Sequence, residues 1–345
     1  MFAALAASLV LPFASVSAQS AQSASKNKSA KRETPAAAPV AARLTMNPRQ
    51  PGTGTLIRLT IDHTGAWQGD SITAITGTIG DEPLHFRSAN DGRLLALGAV
   101  PSDISDSLVT RVRVERASGA LDTFRIFLRY PHQTPPAPTP ARPSRPAART
   151  SAARRLRVDT KFTQRLDAET EARIEHENDL ARDIGRRAQD TPALWTYPFL
   201  RPRDSKVTSR YGTGRVFNGR VSSSHLGIDY RGAVGEPIYA ANRGIVALVD
   251  SFFLAGNVVY LDHGDGLVTG YFHMSKPEVS VGDTVDRGQE IGLVGATGRV
   301  TGPHLHWSAR LGASTIDPAD LLTLGDPFVL PDTIQKKPPV RRKGP

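Results

Sequence analysis

The strongest constraint on this chain is a period-two alternation of apolar and polar residues. Thr55, Ile57, Leu59 and Ile61 alternate with Leu56, Arg58, Thr60 and Asp62. Thr110, Val112 and Val114 alternate with Arg111, Arg113 and Glu115, and Phe124, Ile126, Leu128 and Tyr130 with Arg125, Phe127 and Arg129. Successive side chains of a strand point to opposite faces, so such runs predict half-buried β-strands. Turn clusters separate them: Gly69-Asp70, Gly80-Asp81, Asn90-Asp91-Gly92 and Ser118-Gly119. Short strands at this spacing predict a small Ig-like β-sandwich over residues 44–131. His63 and His85 are isolated within it, so a binding or spacer role is expected rather than catalysis.

The chain has 345 residues and no cysteine. Disulfides and cysteine-ligated zinc are excluded, and any metal site must use histidine and carboxylate. No apolar run reaches the roughly 18–20 residues of a membrane helix. The run Phe2–Phe13, followed by Val16-Ser17-Ala18, fits a signal peptide cut after Ala18. It lacks a basic residue before its apolar core. Export to the periplasm or cell envelope is the expectation, and residues 19–43, rich in Ala, Ser, Lys and Pro, read as a disordered linker.

The formal net charge is +10. The excess is concentrated in two runs. Residues 132–157 carry Arg142, Arg145, Arg149, Arg154, Arg155 and Arg157 among prolines, and the tail at 326–345 carries Lys336, Lys337, Arg341, Arg342 and Lys343. No nucleic-acid-binding motif accompanies them, so no specific nucleic-acid partner is expected. They read as solvated basic segments able to adsorb to anionic envelope surfaces. Between them, residues 158–190 predict a charged helical linker. From Gln164 to Ala188 there is no proline, and Leu166, Ile174, Ala181 and Ile184 form a narrow apolar stripe. His176 is expected to face solvent.

Residues 191–325 are glycine-rich and strand-like. Gly244–Val249 and Asn257–Leu261 are clear strands, whereas Pro237–Ala240 is too short to assign from pattern alone. Five of the nine histidines lie here: His225, His263, His273, His304 and His306. In His304-Leu305-His306, two imidazoles on a strand face one side. One can bind a metal while the other reaches the same metal's open position, which suits hydrolysis by a metal-activated water. His225 and Asp229, four apart around Gly227-Ile228, also share a face. Together with a distant histidine they form a three-donor zinc set that leaves one position for water. Tyr271-Phe272-His273 adds another strand ending in histidine. His263, before Gly264-Asp265-Gly266, reads as structural. Arg215 and Asn218 shortly precede His225 and are placed near the cleft.

The set His225-x-x-x-Asp229, Tyr271-x-His273 and His304-x-His306 resembles the lysostaphin-type, or LytM-domain, zinc endopeptidases of bacterial cell walls. The surrounding runs Gly227-Ile228-Asp229-Tyr230, Gly235–Ala240, Gly282–Val285, Gly288–Gly292 and Gly295–Gly298 match too, over roughly residues 196–322. The resemblance implies a mainly β protein whose C-terminal part is an antiparallel-β peptidase domain. It implies one zinc ion on His225, Asp229 and His306, with His304 and His273 as catalytic histidines. His304 is assigned as base and His273 as oxyanion stabiliser. It implies peptidoglycan as substrate, cut in its stem or cross-bridge peptides. No position of the set is substituted, unlike in the family's inactive relatives. The alternative is a non-catalytic wall-binding module that activates another wall hydrolase, and the intact donor set argues against it. A basic surface adhesin with a vestigial site is a third reading.

Overall fold

A computed structural model describes residues 41–89, 91–104, 106–130, 154–195 and 198–323. The expected signal peptide, nearly all of the first expected linker, most of the Pro/Arg-rich segment and the basic tail lie outside them.

The first half of the described chain builds two four-stranded antiparallel sheets. One orders its strands Arg43–Asn47, Leu56–Asp62, Leu94–Ala99 and Arg87–Ser88; the other orders Glu82–Pro83, Ile72–Ile79, Ser107–Arg116 and Leu121–Arg129. The alternation fixes which face is inward. Ile57, Leu59 and Ile61 from one sheet and Leu108, Val112 and Val114 from the other share one apolar core, while Arg111, Arg113 and Glu115 point out.

The segment after residue 153 differs from the linker-then-helix expectation in two ways. Arg154–Leu156, inside the stretch read as a linker, is a strand paired in parallel with Gly214–Phe217, which also pairs with Val221–Ser224. Pairing with a distant backbone, not composition, decides this. The helix is Ala168–Arg187, shorter than the stretch from Gln164. Asp167 caps it by accepting from the Thr170 N–H at 2.7 Å. Glu169 and Glu171 open the helix and Arg186 and Arg187 close it, which suits its dipole. Ala181, Ile184 and Ala188 bury against Phe252, Val258, Tyr260 and Val268, and His176 is exposed. Gly185 allows this approach, since a Cβ there would lie 1.9 Å from the Gly312 carbonyl oxygen.

The remaining strands form one large antiparallel sheet. Its order runs Val207–Ser209, Ile228–Arg231, His304–Leu311, Leu267–Pro277, Gly256–Gly264, Gly244–Phe252 and Thr284–Val285. Pro237–Tyr239, the run too short to assign from pattern, pairs with Glu290–Val294, which joins Leu267–Pro277. Tyr230, Ile238, Tyr271, Met274, Leu305 and Trp307 lie fully buried beneath the sheet. Polar bonds tie this half to the first. The Leu56 N–H donates to Asp320 (2.8 Å), the Ala313 N–H to Glu82 (2.8 Å), and His85 pairs with Gln189 (2.7 Å).

Candidate metal centre

Register places the donors. Asp229 lies opposite His306, and Arg231 opposite His304, in the central antiparallel pair. Phe272, on the strand at the other side, lies opposite His306 and stacks on its ring with centroids 5.1 Å apart. His225 precedes its strand and is held by backbone bonds to Gly212 (2.8 Å) and Thr213 (3.0 Å). Gly227 leaves room for the imidazole: a Cβ there would meet His306 Nε2 and the Trp307 carbonyl, each at 2.5 Å.

Three atoms converge. His225 Nε2 lies 2.9 Å from Asp229 Oδ1 and 2.9 Å from His306 Nδ1, and His306 Nδ1 lies 3.0 Å from Asp229 Oδ1. All three residues are buried. His225 Nδ1 faces the Arg210 carbonyl at 2.9 Å. A carbonyl only accepts, so that nitrogen carries the proton and Nε2 presents a lone pair. At most one proton, on His306 Nδ1, then lies among three acceptors. One proton cannot satisfy three mutual contacts of hydrogen-bond length, whereas a cation between them satisfies all three. With metal–ligand bonds of about 2.0–2.2 Å, donors of a tetrahedral site lie roughly 3.4 Å apart, so these three need only a slight expansion. Two imidazole nitrogens and one carboxylate oxygen are a donor set suited to zinc.

The electrostatics agree. Burial works against a charged Asp229, but its contacts with His225 and His306 outweigh it and hold the carboxyl well below the usual range. Burial pushes His306 down to about 4, so the ring is neutral at physiological pH. Arg215 Nη2 binds Asp229 Oδ2, the oxygen turned away from the triad, and Ser209 Oγ at 3.1 Å. Such outer partners orient a ligand. Arg215 was legible only as a neighbour of His225, and Ser209 carried no sequence signal. Asn218 lies elsewhere: it clamps Val158 and Thr163.

The other two histidines stand beside the triad with their rings 4.9 Å apart. His304 Nδ1 donates to the Gly302 carbonyl (2.8 Å) and His273 Nδ1 to the Thr297 carbonyl (2.8 Å). In each neutral ring Nε2 is therefore the free lone pair. His304 Nε2 lies 3.6 Å from Asp229 Oδ1. His273 adopts φ 62°, a left-handed conformation that costs a non-glycine residue on the order of 1 kcal/mol. Burial, then the neighbouring His304 and His306, hold it well below the ordinary imidazole pKa. His263 is not part of the group: it is fully buried between the Arg243 carbonyl and Thr269.

Comparison with known proteins singles out the stretch that holds these residues. Residues 223–318 match Peptidase family M23, and the chain carries a peptidase domain of that family, of the LytM type. It is 47% identical over 110 residues to the peptidoglycan DD-endopeptidase ShyA of Vibrio cholerae, a match covering 31% of this chain and 25% of that protein. It is 42% identical over 113 residues to ShyC of the same organism, another peptidoglycan DD-endopeptidase, covering 32% and 26%. The chain thus spans about a quarter of the length of these relatives. A crystal structure of a Pseudomonas aeruginosa protein described as an M23 peptidase superposes with a TM-score of 0.52 at 24% identity, covering 74% of this chain and 93% of that one. That likeness concerns the fold.

Proposed function

We propose that this chain is an exported zinc endopeptidase that hydrolyses peptide bonds in peptidoglycan. The observation that carries the reading is the convergent His225–Asp229–His306 triad, with two further histidines presenting free Nε2 atoms beside it. His225 Nε2, Asp229 Oδ1 and His306 Nδ1 would hold the ion. When bound there, zinc supplies Lewis acidity toward the scissile carbonyl and toward water. His304 is the base: its Nδ1–H is tied to Gly302, so Nε2 accepts a proton at the edge of the triad and passes it to the leaving amine. His273, tied by Nδ1–H to Thr297, turns Nε2 to the same edge and is the residue assigned to the developing oxyanion in this reading. Arg215 keeps Asp229 turned so that one carboxylate oxygen faces inward.

The names of the Vibrio relatives support peptidoglycan as substrate and make the DD cross-link the first bond to test. The apolar run Phe2–Phe13 supports export, and the basic segments support retention at anionic envelope surfaces. We read residues 44–131 as an Ig-like β-sandwich that spaces or targets a peptidase domain over 191–325. Digestion of purified peptidoglycan by the zinc-loaded chain, with products identified by mass, tests the proposal. Cross-linked muropeptides should be converted to uncross-linked ones. Intact muropeptides after incubation with a chain that holds stoichiometric zinc would refute it.

A further inference from the structure

The groove beside His304 carries a charge that the metal chemistry does not use. It has a volume of about 250 Å³, and Arg154, Arg215, Arg231 and Arg299 line it together with Phe217 and the run Val300–Pro303. Asp229 is the one acidic residue among those lining it. Two of the four guanidinium groups are committed. Arg215 is bound to Asp229, and Arg154 Nη1 donates to the Thr208 carbonyl at 2.8 Å. Arg231 and Arg299 make no ion pair among the described residues.

Arg299 is half-buried, and its guanidinium sits 4.2 Å from the centroid of the Phe217 ring. The aromatic face holds the cation in place without neutralising it. Burial, and then the charge of Arg215, lower its pKa, as befits a guanidinium without a counter-ion. Arg231 ends its strand opposite His304, so its exposed side chain lies at the reacting end of the groove. A planar guanidinium fork matches a carboxylate with two parallel hydrogen bonds.

We propose that Arg299 and Arg231 form a carboxylate subsite, which binds a free carboxylate of the substrate peptide close to the scissile bond. The proposal rests on the peptidase reading above. It adds a chemical preference: peptides with free carboxylates are held, and the same peptides capped as carboxamides are not.

The test uses the full zinc-loaded chain and two fluorescently labelled stem tetrapeptides, one with free carboxylates and one with every carboxylate amidated. Binding is followed by anisotropy for wild type, R299Q, R231Q and the double variant. Wild type should bind the free peptide at least about tenfold more tightly, as expected for charge-assisted hydrogen bonds. That preference should weaken with added salt. In the double variant the two affinities should agree within about twofold, with zinc content and thermal midpoint unchanged. Arg231 is exposed, so R231Q tests the idea without disturbing packing and should reduce the preference by itself. A preference retained in the double variant would mean that the carboxylate binds elsewhere, on the metal for instance, and overturns the subsite. No preference in wild type overturns it too. Peptidoglycan digestion run in parallel separates the two proposals. Hydrolysis with an unaltered preference removes the subsite alone. A preference lost in the variants, with no hydrolysis by wild type, removes the peptidase reading and keeps the subsite.

Discussion

Replacing His263 with asparagine should remove a defined part of the pH dependence of folding. The ring is fully buried, with Nδ1 2.7 Å from the Arg243 carbonyl and Nε2 2.8 Å from the Thr269 hydroxyl. The carbonyl accepts, so Nδ1 holds the proton and Thr269 must donate to Nε2. Tyr271, which accepts from the Ala241 N–H at 2.8 Å, lies 3.0 Å from Thr269 and can donate to it. A second ring proton would face the Thr269 donor and cost this chain its order. Burial accordingly pushes the imidazole from 6.5 down to about 4. The unfolded chain therefore binds a proton near pH 6.5 that the folded chain refuses until near pH 4. Between those values the unfolded state holds more protons, so stability falls as pH falls. At about 1.36 kcal/mol per pH unit, the full span amounts to roughly 3 kcal/mol. Asparagine keeps a donor near the Nδ1 position and does not titrate. Urea unfolding followed by tryptophan fluorescence reports on this region, because Trp195 and Trp307 are buried in the core under the sheet. Near pH 7 wild type should be more stable than His263→Asn by about 1–3 kcal/mol, the cost of the lost bond to Thr269 and of the smaller buried side chain. The difference should fall by roughly 3 kcal/mol as the pH approaches 4. Parallel stability curves for the two proteins would refute the assigned proton and its burial.

Three further outcomes are expected. His306→Ala should lose bound zinc, whereas His304→Ala should keep stoichiometric zinc and lose peptidoglycan turnover, by about 10²–10⁴-fold for a missing base; metal analysis and digestion on the same samples check both. Gly227→Ala should lower zinc affinity without touching a donor atom, because the added methyl meets His306 Nε2 at 2.5 Å; competition with a chromogenic chelator measures it, and wild-type affinity would show that the ring has space to move. Gly185→Ala should destabilise the chain by about 1–3 kcal/mol although alanine favours helices by about 0.5–1 kcal/mol, since the methyl would lie 1.9 Å from the Gly312 carbonyl oxygen; a raised thermal midpoint would contradict the close helix–strand approach.

Much of the fold was legible because period two survives in the sequence wherever one face of a sheet is buried. Ile57, Leu59 and Ile61, and Val112 and Val114, are inward as their spacing requires. What escaped is decided by partners distant in sequence. Arg154–Leu156 reads as a basic linker because nothing local marks it as a strand; its hydrogen bonds come from residues about sixty positions further on. Pro237–Tyr239 carries too few residues for a pattern, and only Glu290–Val294 makes it a strand. The helix begins later than its composition suggests because Asp167, a cap residue, outweighs the helix-compatible residues before it. In the site, residue types and spacings gathered the donors, but the carbonyls of Arg210, Thr297 and Gly302 have no signature, since every residue owns one.

On the proposed reading, contacts of this kind give the histidines their different tasks. Spacing places His304 and His306 on one face of one strand, and on that ground alone they are equivalent. Their second contacts make them unlike. His304 spends Nδ1 on the Gly302 carbonyl, so only Nε2 is left to face the groove. His306 turns Nδ1 inward against Asp229 and His225, with Phe272 fixing the ring plane. A ligand nitrogen must surrender its lone pair to a cation, and a base must keep one free for a proton. On the proposed reading one strand supplies both: a two-residue repeat sets the direction of each ring, and for His304 a backbone oxygen selects which nitrogen faces the groove. The same rule explains His263, which lies in the same sheet with both nitrogens occupied and has none left for a metal or a substrate.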